Sequence, residues 1–234
     1  MNTTLLKTLA GAVVCGGALA AYNYKIRPWH QRWGATDEEL TASLPGDEVK
    51  PDADMQVTHA VTIDAPPETV WKWLVQLGQG RGGFYSYDWV ENMFGLEIYN
   101  TAELKSEWQT LKVGDFVRGA QDDWFGGRFK GKAGWFVVLM DEARALVLRD
   151  EIEHGSWSFI LKPLAENKTR LIIRARGGKP ANLGMKIFNY GFFEIAHFVM
   201  ERKMLLTLKR RAEEFYAGHT VEAELGLSAE KIAV

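Results

Sequence analysis

Three titratable residues near the C-terminus share one side of a predicted helix. Glu194, His197 and Glu201 stand at positions i, i+3 and i+7, a spacing that places them on one helix face. Glu-x-x-His is half of the carboxylate set that holds a di-iron centre in four-helix proteins, but no further copy of it accompanies this one. We therefore predict no metal site and no cofactor, and expect His197 to pair with a neighbouring glutamate. Because histidine is the commonest acid/base catalyst, a second interpretation stays open, in which His197 is a polar group inside a ligand pocket.

A second group of polar side chains belongs to a glycine-rich stretch. It comprises five residues between Gly78 and Gly95, namely Arg81, Tyr85, Tyr87, Asp88 and Glu91. Phosphate-binding glycines stand between a strand and the helix that follows it, whereas these glycines follow a predicted helix and lack a Lys-Ser/Thr pair. Two interpretations stay open. Arg81 pairs with Asp88 or Glu91 and pins the turn, or an arginine or tyrosine orients a ligand carbonyl or carboxylate at a pocket mouth.

The composition narrows the function classes. The chain has 234 residues, a formal net charge of −2 and no basic stripe, so we predict no nucleic-acid partner. Nine tryptophans and twelve phenylalanines can fill a core or line a pocket for an apolar ligand. Cys15 is the single cysteine, which excludes an intrachain disulfide, a cysteine metal cluster and a Cys–His nucleophile in the folded part.

Periodicity predicts an α+β fold. A strand over 59–64 precedes a Pro-Pro helix start and an apolar i, i+3, i+4, i+7 stripe that ends at Gly78. Further strands are predicted over 111–117, 134–140, 145–150, 156–163 and 169–176. Alternation places six apolar side chains on the sheet face that meets the C-terminal helix, and these are Val61, Ile63, Trp157, Phe159, Leu171 and Ile173. The arginines of the last strand, Arg170, Arg174 and Arg176, are expected on the opposite face in solvent.

The longest helical pattern covers residues 183–216. One apolar stripe at helical spacing contains Met185, Phe188, Phe192, Ile195, Val199 and Leu206. Apolar residues also occur on another side of this helix, which indicates burial on more than one face. We predict that Phe192, Ile195 and Val199 line a pocket.

The N-terminus predicts a membrane anchor. Residues 8–24 carry no charge, and letting Lys7 reach the interface extends the run to about the 20 residues that a bilayer helix needs. A signal peptide cleaved after Ala20 and a buried helix are the alternatives. Lys25, Arg27 and Arg32 follow the run, which favours a single-pass protein of the inner membrane with its folded domain on the cytoplasmic side.

Three strings carry a family resemblance: WGATDEEL (Trp33–Leu40), APPETVWKWLVQLGQGRGGFYSYDW (Ala65–Trp89) and FVMERKMLL (Phe198–Leu206). With the element order, they resemble the START-like, helix-grip superfamily SRPBCC, in a bacterial branch. The resemblance implies a seven-stranded antiparallel sheet curved around the C-terminal helix, with a pocket between them. Members bind lipids, sterols and polyketides, and some are cyclases or dehydratases, but no catalytic residue is implied for this branch.

These observations divide the chain into an anchor with its basic flank (1–32), a collar helix and linker (33–54), a helix-grip domain (55–217) and a tail (218–234). We predict membrane-tethered binding or transfer of a hydrophobic small molecule such as a lipid, isoprenoid or polyketide-like compound. The alternatives are a cyclase or dehydratase that uses acid/base residues in the same pocket, and a partner-binding module whose pocket is packed shut. Whether the protein is an enzyme stays open. The predicted ligand-binding residues are Arg81, Tyr85, Tyr87, Trp157, Phe159, Phe192, Ile195, His197 and Val199.

Overall fold

The protein, studied as a computed structural model, is described for Lys7, Gly17 and residues 20–152 and 154–224. Six strands form one curved antiparallel sheet in the order β1-β6-β5-β4-β3-β2. They are β1 (Met55–Ile63), β2 (Phe116–Arg118), β3 (Gly134–Asp141), β4 (Ala145–Asp150), β5 (Ser156–Ala165) and β6 (Lys168–Gly177). The described residues thus give six strands, where the resemblance implied seven.

The described residues form six α-helices of five residues or more. They are α1 (Arg27–Gln31), α2 (Asp37–Thr41), α3 (Pro67–Leu74), α4 (Asp88–Met93), α5 (Leu183–Phe188) and α6 (Glu194–Glu224). A π-helical turn, Tyr22–Ile26, leads into α1, and a second one, Asn189–Phe193, joins α5 to α6. The capping box predicted for α2 is present, because Thr36 and Glu39 exchange side chain-to-backbone hydrogen bonds of 3.2 and 2.8 Å. Helix α6 continues beyond Gly218, where a frayed tail was predicted.

The concave face of the sheet packs on α6. Val61 of β1 is opposite Leu171 of β6, and Phe159 of β5 is opposite Ile173. These four side chains and Ile63 are buried in one apolar cluster with four residues of α6, namely Met204, Leu205, Leu208 and Ala212. Trp157 packs against the same cluster. The structure therefore confirms the predicted α+β architecture, an antiparallel sheet wrapped around a long C-terminal helix.

The convex face is covered by the segment between Trp33 and Lys50. Arg174 of β6 was predicted in solvent, but it is only 1% exposed. Its guanidinium donates to the carboxylate of Asp47 at 2.8 Å and to the backbone oxygens of Glu39 and Ala42 at 2.5 and 2.8 Å. Arg170 forms a two-pronged ion pair with the Glu39 carboxylate, at 2.7 and 2.8 Å. The solvent prediction was wrong for these arginines because it ignored that the preceding segment folds back over them.

The C-terminal helix turns a different face to the sheet than the apolar stripe predicted. Met185, Phe188, Phe192, Ile195, Val199 and Leu206 are all exposed. The inward face instead includes Glu194, Phe198, Glu201 and Met204. The difference arises because the buried face carries two carboxylates, Glu194 and Glu201, which a hydrophobicity pattern assigns to solvent.

The predicted membrane anchor falls largely on residues outside those that the structure describes. Among residues 20–152 and 154–224, no helix combines the length and the apolar character needed to cross a bilayer.

Candidate functional site

A cavity of about 310 Å³ lies between the concave sheet face and the first turns of α6. Its apolar wall comes from the sheet, the glycine-rich stretch and the helix, through Val57, Phe84, Trp135, Trp157, Phe198 and Met204. The rings of Trp135 and Trp157 lie 5.2 Å apart, and Phe84 contacts both. Alternation along β1 accounts for part of this wall, since every second residue from Met55 faces the helix.

A buried histidine–glutamate pair closes one side of the cavity. His59 of β1 and Glu201 of α6 are 0% and 3% exposed, and the Nδ1 of His59 is hydrogen-bonded to the Glu201 carboxylate. The Nε2 of His59 lies 2.6 Å from the backbone oxygen of His30. A carbonyl oxygen only accepts, so this nitrogen carries a proton. Trp157 donates its indole N–H to the other Glu201 oxygen at 2.8 Å.

The pair is best described as an imidazolium next to a carboxylate. Burial by itself lowers the pKa of His59. The hydrogen bond that His59 donates to Glu201, the charge of that carboxylate and the bond to the His30 oxygen outweigh burial and raise the pKa above its ordinary value. Burial conversely raises the pKa of Glu201, but the charges of His197 and His59 and the bonds from His59 and Trp157 bring it below its ordinary value. Both directions favour a proton on His59 and a charge on Glu201.

Glu91 of α4 places a second carboxyl group on the cavity wall. Glu91 is 6% exposed, and its Oε2 has no hydrogen-bond partner among the residues that the structure describes. Burial and the neighbouring charge of Asp88 raise the pKa of Glu91 to about 7. Near neutral pH, Glu91 is therefore present in both its protonated and its ionised form. The protonated form can donate a hydrogen bond, and both forms can accept one.

The helix α1 and the start of α6 form the remaining polar side of the cavity. Arg27 binds both oxygens of buried Glu194 at 2.8 Å, and its guanidinium lies 4.5 Å from the centre of the Tyr190 ring. His197 lines the cavity and is partly exposed, with its Nε2 3.9 Å from Glu201 Oε1, too far for a hydrogen bond. Of the two carboxylates on this helix face, Glu194 thus pairs with Arg27 and Glu201 pairs with His59. Within the described chain, no three His, Cys, Asp or Glu side chains are placed to hold a metal ion.

Two of the predicted ligand-binding residues, Trp157 and His197, line the cavity. Three others serve the fold and do not line it. Arg81 donates to the backbone oxygens of Val75 and Trp108 at 2.8 and 2.7 Å. The buried Tyr85 hydroxyl donates to the Trp73 oxygen at 2.9 Å, and Phe159 is enclosed in the apolar core.

The other four predicted residues lie elsewhere on the surface. Tyr87 is partly exposed and has the Lys203 ammonium 5.5 Å from its ring centre. Phe192, Ile195 and Val199 are exposed and do not line the cavity. Ligand contact by these residues stays a prediction, and the geometry gives it no support.

Sequence reasoning missed His59 and Glu91. The signal for His59 was available, because it alternates with Val57 and Val61 on the apolar side of its strand, where an unpaired polar group is costly. Its partner stands 142 residues later, and no pattern in the sequence joins the two. Glu91 was noticed only as a charge that could pin the turn. What makes it unusual is its burial, which depends on the packing of α4 over the cavity.

The arrangement can hold an apolar molecule and exchange protons with it. Aromatic and aliphatic walls bind by burial, while Glu91 and the His59–Glu201 pair supply a donor, an acceptor and titratable protons.

Comparisons with known proteins give structural likeness alone. No protein-family model matches the chain, and no curated protein does. Among solved structures, the KanY protein is 12% identical, covering 68% of this chain and 97% of its own, with a TM-score of 0.45. CalC of Micromonospora echinospora, a self-sacrificing resistance protein, is 14% identical, with coverages of 70% and 97% and a TM-score of 0.42.

A Polyketide_cyc-like protein of Corynebacterium glutamicum is 15% identical, with coverages of 75% and 96% and a TM-score of 0.34. At these identities and scores, the likenesses carry no argument about function. The order of the six strands and the long helix that they enclose are features of this chain itself, and they form a helix-grip arrangement of an antiparallel sheet around a C-terminal helix.

Proposed function

We propose that the protein binds, and passes on, a hydrophobic small molecule with one polar end. The observation that carries the proposal is the cavity itself, in which aromatic and aliphatic side chains form an apolar wall and nine polar side chains, six of them buried, lie among them. Ligand pockets of proteins share this composition, with apolar walls for affinity and a small number of polar groups for orientation.

The volume limits the ligand. A cavity of about 310 Å³ is at the small end of ligand pockets, which span roughly 300–1,000 Å³. Each methylene that leaves water contributes about 0.8 kcal/mol, so a chain of about ten buried methylenes gains roughly 8 kcal/mol before the cost of association. A short acyl, isoprenoid or small polyketide-like molecule fits these limits.

Polar recognition falls to Glu91. Its carboxyl is the cavity group whose oxygen lacks a partner among the described residues, so a hydroxyl, carbonyl or amine of the ligand would satisfy it. The His59–Glu201 pair is already bonded on both sides and contributes mainly a fixed charge distribution.

The test places a larger side chain on one wall of the cavity, so that less volume is left for a ligand. Val57→Phe adds volume at a cavity position, whereas Val113→Phe makes the same change at an exposed position and serves as the control. We expect at least a tenfold loss of affinity for a fluorescent fatty-acid probe in the first variant and none in the second. Mass spectrometry of lipophilic material that copurifies with each variant identifies the natural ligand class. Equal probe affinity in both variants would contradict the proposal, as would a wild-type protein that binds no probe.

A cyclase or dehydratase activity is the second candidate, and Glu91 is the observation that favours it. A dehydration needs one group that takes a proton from carbon and one that gives a proton to the departing hydroxyl. A carboxyl with a pKa of about 7 suits such exchange near neutral pH. Once the copurifying ligand is known, incubation with wild type and Glu91→Gln decides the question. A product that forms with wild type and not with the variant supports catalysis, and an unchanged ligand with both supports binding alone.

We also propose that residues 1–32 hold this domain at the inner membrane, with the cavity on the cytoplasmic side. The support is the uncharged run 8–24 and the basic residues that follow it. Full-length protein should stay with membranes through alkaline carbonate extraction. A mature chain that begins at Ala21 would instead show a cleaved signal peptide.

A further inference from the structure

The start of the C-terminal helix exposes large apolar side chains that the fold does not cover. Leu183, Ile187, Phe188, Phe192 and Ile195 are between 40% and 72% exposed. Scattered apolar residues are ordinary on a protein surface, but five within thirteen positions form a concentration that indicates an interaction site.

A second exposed apolar group lies in the N-terminal segment, through Tyr24, Ile26 and Trp29. Direct contacts hold this segment against the start of the C-terminal helix. The Tyr22 hydroxyl donates to the backbone oxygen of Tyr190 at 3.0 Å, Arg27 pairs with Glu194 at 2.8 Å, and the rings of Trp29 and Phe198 lie 5.3 Å apart. The eight exposed residues of the two segments are called the apolar surface below.

The charges on these segments indicate what this surface meets. Residues 20–32 and 178–199 contain five basic residues, namely Lys25, Arg27, Arg32, Lys179 and Lys186. Their single acidic residue, Glu194, is buried against Arg27. Arg27, Arg32 and Lys179 form ion pairs with Glu194, Asp37 and Asp54, so the exposed Lys25 and Lys186 carry the local positive charge of these segments. Exposed lysines beside tyrosine, tryptophan and aliphatic side chains are the composition that lies in a bilayer interface with anionic lipid headgroups.

The cavity opens next to this surface. Phe193, which is exposed, and His197, which is partly exposed, come from the same stretch of helix and line the cavity, so one accessible edge of the cavity borders this surface. We propose that the apolar surface inserts into the interface of an anionic bilayer and places the cavity opening against the lipid acyl chains. The purpose of this contact, ligand exchange with the bilayer, rests on the proposed function, whereas the contact itself is measured without any ligand.

The experiment reports on single positions of the full chain. Cys15→Ser removes the natural thiol, and Ile187→Cys or Val113→Cys then supplies one site for an environment-sensitive fluorophore. Both proteins are reconstituted into phosphatidylcholine–phosphatidylglycerol vesicles, with and without lipids that carry a quencher in the acyl chain. We expect lipid quenching of about twofold or more at position 187 and no quenching at position 113, which is an equally exposed position outside the surface. Lys25→Glu with Lys186→Glu should reduce the quenching in these vesicles and not in phosphatidylcholine alone.

Three results would overturn the proposal. If aqueous iodide quenches the fluorophore at position 187 as strongly as the one at position 113, the apolar surface stays in water. Self-quenching between labelled copies would show a protein interface, and shielding in detergent without lipid quenching would show that residues 1–19 cover the surface. Ile187→Asn with Phe192→Asn separates this inference from the proposed function, because neither residue lines the cavity. That variant should keep its affinity for the fatty-acid probe while losing lipid quenching.

Discussion

Replacing Glu91 by glutamine should stabilise the protein at alkaline pH. An unfolded glutamate has an ordinary pKa of 4.5, whereas the folded chain holds that of Glu91 at about 7. Between these values the unfolded chain releases a proton that the folded chain keeps, so the free energy of unfolding falls as pH rises. The difference between the two pKa values corresponds to about 3 kcal/mol when fully developed. Glutamine has a similar shape and no charge, and it removes this penalty.

The assay is a urea titration of the detergent-solubilised protein at pH 5 and pH 8. Most of the penalty develops between these conditions, so the gain from Glu91→Gln should be about 2–3 kcal/mol larger at pH 8 than at pH 5. Comparison across pH cancels the cost of placing an amide in the cavity, since that cost is present at both values. Glu107→Gln, at an exposed glutamate, is the control.

One result would refute the reasoning. If Glu91→Gln changes the free energy of unfolding equally at both pH values, the folded chain does not raise the pKa of Glu91, and the group is either solvated or has a partner that the geometry does not provide.

Four further substitutions, at three positions, test the polar interior. Glu201→Leu should cost about 3–5 kcal/mol of unfolding free energy because it leaves His59 and Trp157 N–H groups buried without an acceptor, whereas Glu201→Gln should cost less. The cost of Glu201→Gln should be largest between pH 4.5 and 6.5, the ordinary values of the two partners. It should shrink as pH falls through the lowered pKa of Glu201 or rises through the raised pKa of His59. Arg174→Leu should cost about 3–5 kcal/mol and expose the collar to protease, since three buried or half-buried acceptors lose their donor. Tyr85→Phe should cost about 1–3 kcal/mol and leave probe binding unchanged.

Each of these predictions has a matched control and a contrary outcome. Arg128→Leu and Tyr99→Phe make the same changes at exposed positions and should alter stability little. Equal stability of the leucine and glutamine variants at position 201 would argue against the charged pair. A Tyr85→Phe variant that keeps its melting temperature but loses probe affinity would restore Tyr85 to the ligand site.

The sheet could be predicted because strand alternation is a local property. Val61, Phe159 and Leu171 each mark the inner face of their own strand, and pairing of neighbouring strands then brings those faces together. The capping box of α2 was predicted for the same reason, since Thr36 and Glu39 are only three residues apart.

The site was harder to predict because its polar groups are joined by folding rather than by sequence. His59 and Glu201 lie on different secondary-structure elements, and they form a hydrogen-bonded pair only because folding buries them side by side. The inward face of α6 was missed because it contains Glu194 and Glu201, and a hydrophobicity pattern assigns such carboxylates to the solvent side. The buried contacts of Arg174 were missed because several of its acceptors are backbone oxygens, whose positions no side-chain pattern records.

The position of β1 at the edge of the sheet sets the order in which the chain can fold during synthesis. This strand is the first to be made, yet its one strand neighbour is β6, the last. The helix residue that neutralises His59 follows 142 residues later, which takes about 7 to 28 s at roughly 5–20 residues per second. Until β6 is made, β1 has neither its sheet partner nor its helix, and after that it still lacks the helix until residue 201 is made. A strand without its partner can pair with other chains. The collar is made before β1 and already meets it through the bond from the Ala60 N–H to the Trp33 oxygen. It is therefore the part of the native surroundings of β1 that can shield the strand while the rest of the domain is still being synthesised.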